Sequence, residues 1–154
     1  MAKKKPNQAK SIVNRRARFD YAIGENYIVG LVLTGAETKS LRLGLGQLTG
    51  AYVTIKDNQL LLVNALISGS RGIVIKESDQ TRSRRLLAKR REIDQMIQAK
   101  QRGRTIIALE LLTQGRYVKL RIAIATGKKQ YDKRETLKAR SEQKQIDIAY
   151  KTRR

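Results

Sequence analysis

Apolar positions along this chain alternate more often than they recur every third or fourth residue, which predicts strands ahead of helices. Residues 18–23 alternate as a half-buried strand does, and residues 26–33 form a longer β-branched run. Residues 51–56 and 59–67 flank Asp57-Asn58, a two-residue hairpin signal. Residues 105–112 and 117–126 flank Thr113-Gln-Gly-Arg116, where Gly115 supplies the positive φ a second hairpin needs. In the last strand Val118, Leu120, Ile122 and Ile124 share one face, and Lys119 and Arg121 fall on the other.

Helical periodicity interrupts this pattern twice. Thr34-Gly-Ala-Glu37 has the form of a capping box, so a short helix is predicted near 37–43 with Gly44 as its C-terminal stop. A longer helix is predicted near 83–101 and ends at Gly103. Leu86, Leu87, Ile93, Met96 and Ile97 form its apolar stripe, and its other face is almost all cationic. Short strands with two inserted helices predict a mainly β domain over 14–126. Its expected form is a small closed antiparallel barrel of the OB type with accessory helices.

Charge changes the picture at the two ends. The chain has 154 residues, with 34 Lys and Arg against 13 Asp and Glu, a formal net charge of +21. Residues 19–79 are nearly balanced. The first 18 residues carry seven cations and no acid, residues 80–104 nine cations against two acids, and residues 127–154 ten against four. A basic flexible arm is therefore expected over 1–13 and a basic tail over 127–154. The tail's Leu137, Ile146, Ile148 and Tyr150 make no continuous stripe, so it is expected to be disordered in the free protein and to become ordered against RNA. So much like charge opposes compaction, and a polyanion relieves it while releasing the counterions condensed on its phosphates. Nucleic acid is the leading partner and an anionic membrane surface the second.

Catalysis is disfavoured. Cysteine and histidine are absent, which removes thiolate chemistry, the commonest general base and the commonest transition-metal ligand. Asp20, Glu25, Glu37, Asp57, Glu77 and Asp79 are scattered, so the protein is expected not to be an enzyme and to need no cofactor or metal. No apolar run approaches the roughly 18 residues of a spanning helix. The basic start of the chain is not followed by the apolar core of a secretory signal, so a cytoplasmic location is expected.

Four groups of residues are candidate contacts, each with a plainer alternative. Asn14-Arg-Arg-Ala-Arg18 offers three guanidiniums and an amide to phosphate, or is a solvated charge run before a strand. Lys39 and Arg42 share a helix face beside Ser40 and Gly44, as many surface pairs do. Arg82, Arg84, Arg85, Lys89, Arg90 and Arg91 crowd against only Glu92 and Asp94. Either solvent or an RNA partner is expected to relieve them. Gly127-Lys-Lys-Gln-Tyr-Asp-Lys-Arg134 interleaves cations with one aromatic, a composition that tracks phosphates while Tyr131 stacks on a base.

Taken in order, Asn14-Arg-Arg-Ala-Arg-Phe-Asp-Tyr21, Gly30-Leu-Val-Leu-Thr-Gly35, Glu37-Thr-Lys-Ser-Leu-Arg42, Arg82-Ser-Arg-Arg-Leu-Leu87, Arg91-Glu-Ile93 and Gly127-Lys-Lys-Gln-Tyr-Asp-Lys-Arg134 resemble the small protein B (SmpB) family of bacterial tmRNA-binding proteins. The resemblance implies an OB-like barrel that takes the elbow of tmRNA's tRNA-like domain. It also implies a tail that enters the empty decoding site and mRNA channel of a stalled ribosome during trans-translation. Elongation factor Tu would be met only through tmRNA, no membrane would be involved, and the chain would act as a monomer. By position, Asn14, Arg15, Arg16, Ala17, Lys39, Ser40, Arg42 and Gly44 would face tmRNA, and Arg82, Arg84 and Arg85 would face tmRNA or the ribosome. Lys128, Lys129, Tyr131, Asp132, Lys133 and Arg134 would form the decoding-site part of the tail. Glu37 is expected to cap or orient its helix. The sequence departs from the family's usual pattern at Ile28, Thr38, Gly50, Leu66 and Gln80. From the residues alone, a general ribosome-associated RNA-binding or RNA-chaperone protein is the alternative, and a charge-driven membrane-surface or DNA-compacting protein is a third.

Overall fold

The computed structural model describes residues 11–152. Along the chain the elements are β1 (Ile12–Val13), α1 (Ala17–Asp20), β2 (Tyr21–Leu31), α2 (Gly35–Arg42), β3 (Gly46–Gln47), β4 (Tyr52–Lys56) and β5 (Gln59–Val63). They continue with β6 (Leu66–Ile67), α3 (Glu77–Gln80), β7 (Arg84–Leu87), α4 (Arg90–Gln101), β8 (Thr105–Leu112), β9 (Lys119–Gly127) and α5 (Gln130–Thr152). The main sheet is antiparallel and runs β1-β8-β4-β5-β7-β2-β9, with β8 also paired to β9. One edge of β8 is divided: β4 takes Ile106 and Ile107, and β1 takes Glu110 and Leu111. A two-stranded sheet of β3 and β6 completes it.

Local chemistry explains the boundaries. Asp57 and Asn58 both have positive φ, 50° and 58°, so the β4–β5 turn carries the twist of its strands. Gly115, at φ 97°, does the same at the tip between β8 and β9. At the start of α2, Thr34 Oγ1 accepts from the Glu37 amide at 3.3 Å while Glu37 Oε2 accepts from the Thr34 amide at 2.9 Å. At its end Gly44, φ 81°, donates to Leu41 O and the Leu45 amide donates to Ser40 O, the paired closure of a Schellman motif.

The principal core gathers Val29, Leu60, Leu62, Leu86, Ile106, Leu111, Leu120 and Ile122, with Met96 and Ala99 of α4 packed against it. A second, smaller cluster lies on the outer face of β8 and β9: Ile107, Leu109, Ala123 and Ala125 beneath Ala17 of α1. Burial on both faces is why these two strands read as nearly unbroken apolar runs.

The structure corrects several expectations. The two strands predicted over 18–23 and 26–33 are one strand, β2, preceded by a helical turn. Its register on β9 shifts between Ile23 and Asn26. At that bulge a Cβ on Gly24 would stand 2.9 Å from the Ile124 carbonyl oxygen, so only glycine fits without displacement. The helix predicted over 83–101 begins only at Arg90, and residues 84–87 are strand. There Arg84 and Leu86 are buried while Arg85 and Leu87 are exposed, a period of two that an inward arginine hides from a hydrophobicity pattern. Part of the arm is also structured, since Ile12 and Val13 pair with Leu111 and Glu110. Lys3, Lys4, Lys5 and Lys10 lie outside the described residues. Residues 130–152 form a helix with no buried residue, where the reading of the sequence expected none in the free protein. Lys, Arg, Glu, Gln, Ala and Leu make most of that segment, and local propensity builds a helix that needs no apolar stripe.

Candidate nucleic-acid interface

α2 lies against the tip of the β8–β9 hairpin. Arg42 reaches 73 positions along the chain, and its Nη2 donates to the carbonyls of Gly115 at 3.1 Å and Arg116 at 3.0 Å. Its Nε is buried and has no hydrogen-bond partner. Lys39 is exposed beside it, and Arg116 stands 5.4 Å from the ring of Tyr117, which is 66% exposed. The tip therefore adds a cation and an aromatic that the reading of the sequence had left out. An exposed Arg-Tyr pair at a hairpin tip was the available signal. Ser40, by contrast, is fully buried and its Oγ is unpartnered, while Gly44 serves as the helix stop described above.

The arm junction is mixed in the same way. The Asn14 amide donates to Leu48 O at 3.2 Å and Ala108 O at 3.0 Å, so it bridges two segments of the core's rim and is not free for phosphate. Ala17 is buried in the second cluster. Arg15 and Arg16 are exposed, and Arg16 Nε lies 3.3 Å from Asp20 Oδ2.

The arginine group after α3 turns inward. Glu37 Oε1 accepts from Arg84 Nε and from Arg82 Nε, both at 2.9 Å, and its Oε2 accepts from Arg82 Nη2 at 2.7 Å. The rest of the Arg84 guanidinium donates to four carbonyls, those of Ala65, Arg82, Asp79 and Gln80. Burial opposes ionisation of Glu37, yet the hydrogen bonds from Arg82 and the Thr34 amide, together with the charge on Arg84, hold its carboxyl below the usual range. Arg84 is 0% exposed and cannot touch a partner, which corrects the expectation for that residue. The anion relieving part of this crowd is the protein's own. Of the three candidates only Arg85 is exposed. It lines a cavity of about 440 Å³ with Lys89, Asn58 and the half-exposed Ile28 and Leu87.

The tail leaves the sheet at Gly127 and is fastened at its root. The Lys128 amide donates to Asp20 O at 2.9 Å, and its Nζ donates to Arg18 O at 3.1 Å and Thr136 Oγ1 at 3.3 Å. Lys133 Nζ lies 3.4 Å from Asp20 Oδ1, and Asp132 Oδ2 accepts from the Lys129 amide at 3.3 Å. Lys129, Asp132, Arg134 and Tyr131, 69% exposed, face outward. The structure thus brings the arm junction and the tail root together through α1, which the order of the sequence did not reveal. Asp20 is the residue that joins them.

A mainly antiparallel β protein that spreads exposed cations over a hairpin tip, an arm junction and a helical tail is a polyanion-binding protein by design. Among the described residues no three His, Cys, Asp or Glu stand together to hold a metal, and no helix is long and apolar enough to cross a membrane. The chain belongs to the SmpB protein family, whose model matches residues 11–152. An SsrA-binding protein of Gloeobacter violaceus is 42% identical over 137 residues, spanning 88% of this chain and 90% of that one. One of Maricaulis maris is 45% identical over 147 residues, 94% of each. A chain in the solved structure described as "tmRNA-SmpB: a journey to the center of the bacterial ribosome" superposes with a TM-score of 0.65 at 35% identity, covering 79% of this chain and 87% of that one.

Proposed function

We propose that this protein binds the tRNA-like domain of tmRNA and delivers it to stalled ribosomes in trans-translation, with its tail in the empty decoding site and mRNA channel. The observation that carries the reading is the tail: Tyr131 stands 69% exposed among Lys129 and Arg134, on a helix of which no described residue is buried and whose first turn is fastened to α1. Such a segment probes a distant RNA surface with cations for phosphates and one ring for a base. Lys39, Arg42 and the hairpin tip, with Arg15 and Arg16, hold tmRNA on the domain. Asn14, Ala17 and Ser40 shape that surface from beneath, and Gly44 ends α2 at its edge.

In this reading the pairing that runs from β8 through β4, β5, β7, β2 and β9 back to β8 is a closed OB-like barrel, and the distal turns of α5 are free to melt before the ribosome orders them. The protein acts as a cytoplasmic monomer, meets elongation factor Tu only through tmRNA, and performs no chemistry of its own. The relatives named as SsrA-binding proteins support the partner, and the tmRNA-SmpB structure supports the ribosome.

Competition binding tests it. tmRNA's tRNA-like domain, elongator tRNA and duplex DNA are compared over a range of salt concentrations. Preference for the tRNA-like domain persists as salt rises, because shape recognition survives the loss of plain phosphate attraction. Equal affinity for all three at every salt concentration would leave only a general RNA-binding or charge-driven protein.

A further inference from the structure

Two adjoining cavities, of about 410 and 450 Å³, lie on the outer face of β8 and β9 between α1 and the root of α5, and share Arg18, Leu109 and Arg121. Their walls hold Arg15, Arg18, Arg121, Lys128 and Arg140, brought from the arm junction, α1, β9, the tail root and α5, against one acid, Glu110. Arg121 Nη1 lies 2.9 Å from Glu110 Oε2, which fixes that guanidinium while leaving its side chain 40% exposed. Arg140 is steered into place by the ring of Phe19, 5.9 Å from its guanidinium carbon. Lys128 is held to the Arg18 carbonyl. The floor is Leu109, itself 7% exposed and part of the apolar cluster beneath α1.

Five cations face one carboxylate over an apolar floor, so like charge accumulates along one trough that is open to a ligand. The Glu37 arrangement relieves two arginines internally, whereas here Glu110 pairs with Arg121 and the cavity linings hold no second acid for the other four cations. We propose that this trough is a phosphate-binding site for the backbone of RNA; it continues from the arm junction through Arg15 and uses none of the contacts made by Lys39, Arg42 and the hairpin tip. Two adjoining cavities that share Arg18 and Arg121 offer room for more than one phosphodiester, each carrying one negative charge. Guanidinium forks set on different elements grip such oxygens in pairs. Because Arg140 lies in the middle of α5, the site is complete only while the first half of the tail helix lies along α1. RNA in the trough therefore also holds the tail's direction. The choice of RNA over other nucleic acids rests on the proposed function; the phosphate chemistry does not.

The test uses the full chain and a short A-form RNA duplex as probe. Arg18→Gln with Arg121→Gln is compared with Lys56→Gln plus Arg71→Gln, two exposed cations outside the trough. The trough pair flattens the slope of log affinity against log salt by about 1.5, near 0.7–0.9 for each lost phosphate contact, and the control pair leaves it at the wild-type value. Arg18→Lys with Arg121→Lys keeps charge and fold: the slope stays and affinity falls several-fold through loss of the forked contact. Equal flattening by trough and control pairs, or full affinity in the lysine variant, overturns the trough. If the tRNA-like domain, elongator tRNA and duplex DNA bind equally well, the proposed function fails, while the slope comparison still decides the trough.

Discussion

Glu37 on α2 and Arg84 on β7 stand 47 positions apart and meet at 2.9 Å, both sealed from solvent. Arg82, whose side chain is 34% exposed, completes the group from the edge. The same carboxylate closes the capping box of α2, so one residue sets both the start of that helix and its seat on the sheet. The stability of the fold and the placement of Lys39 and Arg42 therefore share a cause.

Replacing Glu37 with Gln leaves the Arg84 guanidinium buried without its anion, and is expected to cost about 3–5 kcal/mol of unfolding free energy. Arg82→Gln leaves the Glu37–Arg84 pair intact and is expected to cost about 1 kcal/mol, in the range of exposed pairs. Urea unfolding of the two variants orders them. Equal losses would mean that Arg84 is satisfied by its four carbonyls alone.

The depressed ionisation of Glu37 gives stability a pH dependence with a definite sign. A carboxyl whose folded pKa lies below its ordinary 4.5 binds protons more weakly in the native state. Its contribution is complete above that value and is lost as pH falls below it. The midpoint of urea unfolding should hold steady from neutrality towards pH 5 and then drop more steeply in the wild type than in Glu37→Gln. Parallel curves would remove Glu37 as the cause.

Arg42→Ala removes both bonds to the hairpin tip as well as a cation. Amide exchange at residues 114–118 should quicken, and affinity for the tRNA-like domain should fall by about tenfold, the effect of one charged hydrogen-bonding group. Tagging of peptides on stalled ribosomes should fall only in proportion to that lost binding.

Tyr131→Ala should do the reverse. Binding of the tRNA-like domain stays near wild type, because Lys39, Arg42 and the cations of the arm junction are all retained. Tagging falls by about 5- to 150-fold, the worth of one stacked base. Lost tmRNA affinity in this variant would assign the tail to the wrong partner.

Asp20→Asn tests the tail root. Its carboxylate serves Arg16 and Lys133 at once, and without that charge the first turns of α5 should lose amide protection while the sheet keeps its own. The expected change in global stability is under about 1 kcal/mol. A helix as protected as before would show that the backbone bond from Lys128 to Asp20 suffices.

What the sequence disclosed was the chemistry that acts over a few residues. Asp57-Asn58, Gly115, the Thr34–Glu37 box and Gly44 each fix backbone angles locally, and each stands where it was expected. What it concealed was long-range or inverted. Arg84 reads as surface charge and is interior, since its anion lies on another element. The bulge near Gly24 looks like a break between strands because the residue that needs the space, Ile124, is a hundred positions away. Of the site, the exposed cations were legible as charge, but the meeting of arm and tail root at Asp20 was not.

β9 has a consequence of scale. It begins just after the hairpin tip that Arg42 holds and ends at Gly127, where the tail departs, and it is laddered along both edges, to β2 and to β8. Nine residues at about 3.3 Å each make a strut of about 30 Å between the two. A strand clamped on both sides does not stretch or fold as a linker does, so it works as a fixed gauge. The distance from the hairpin tip to the start of the tail is therefore set by the sheet, and any adjustment of reach falls to the helix beyond Gly127.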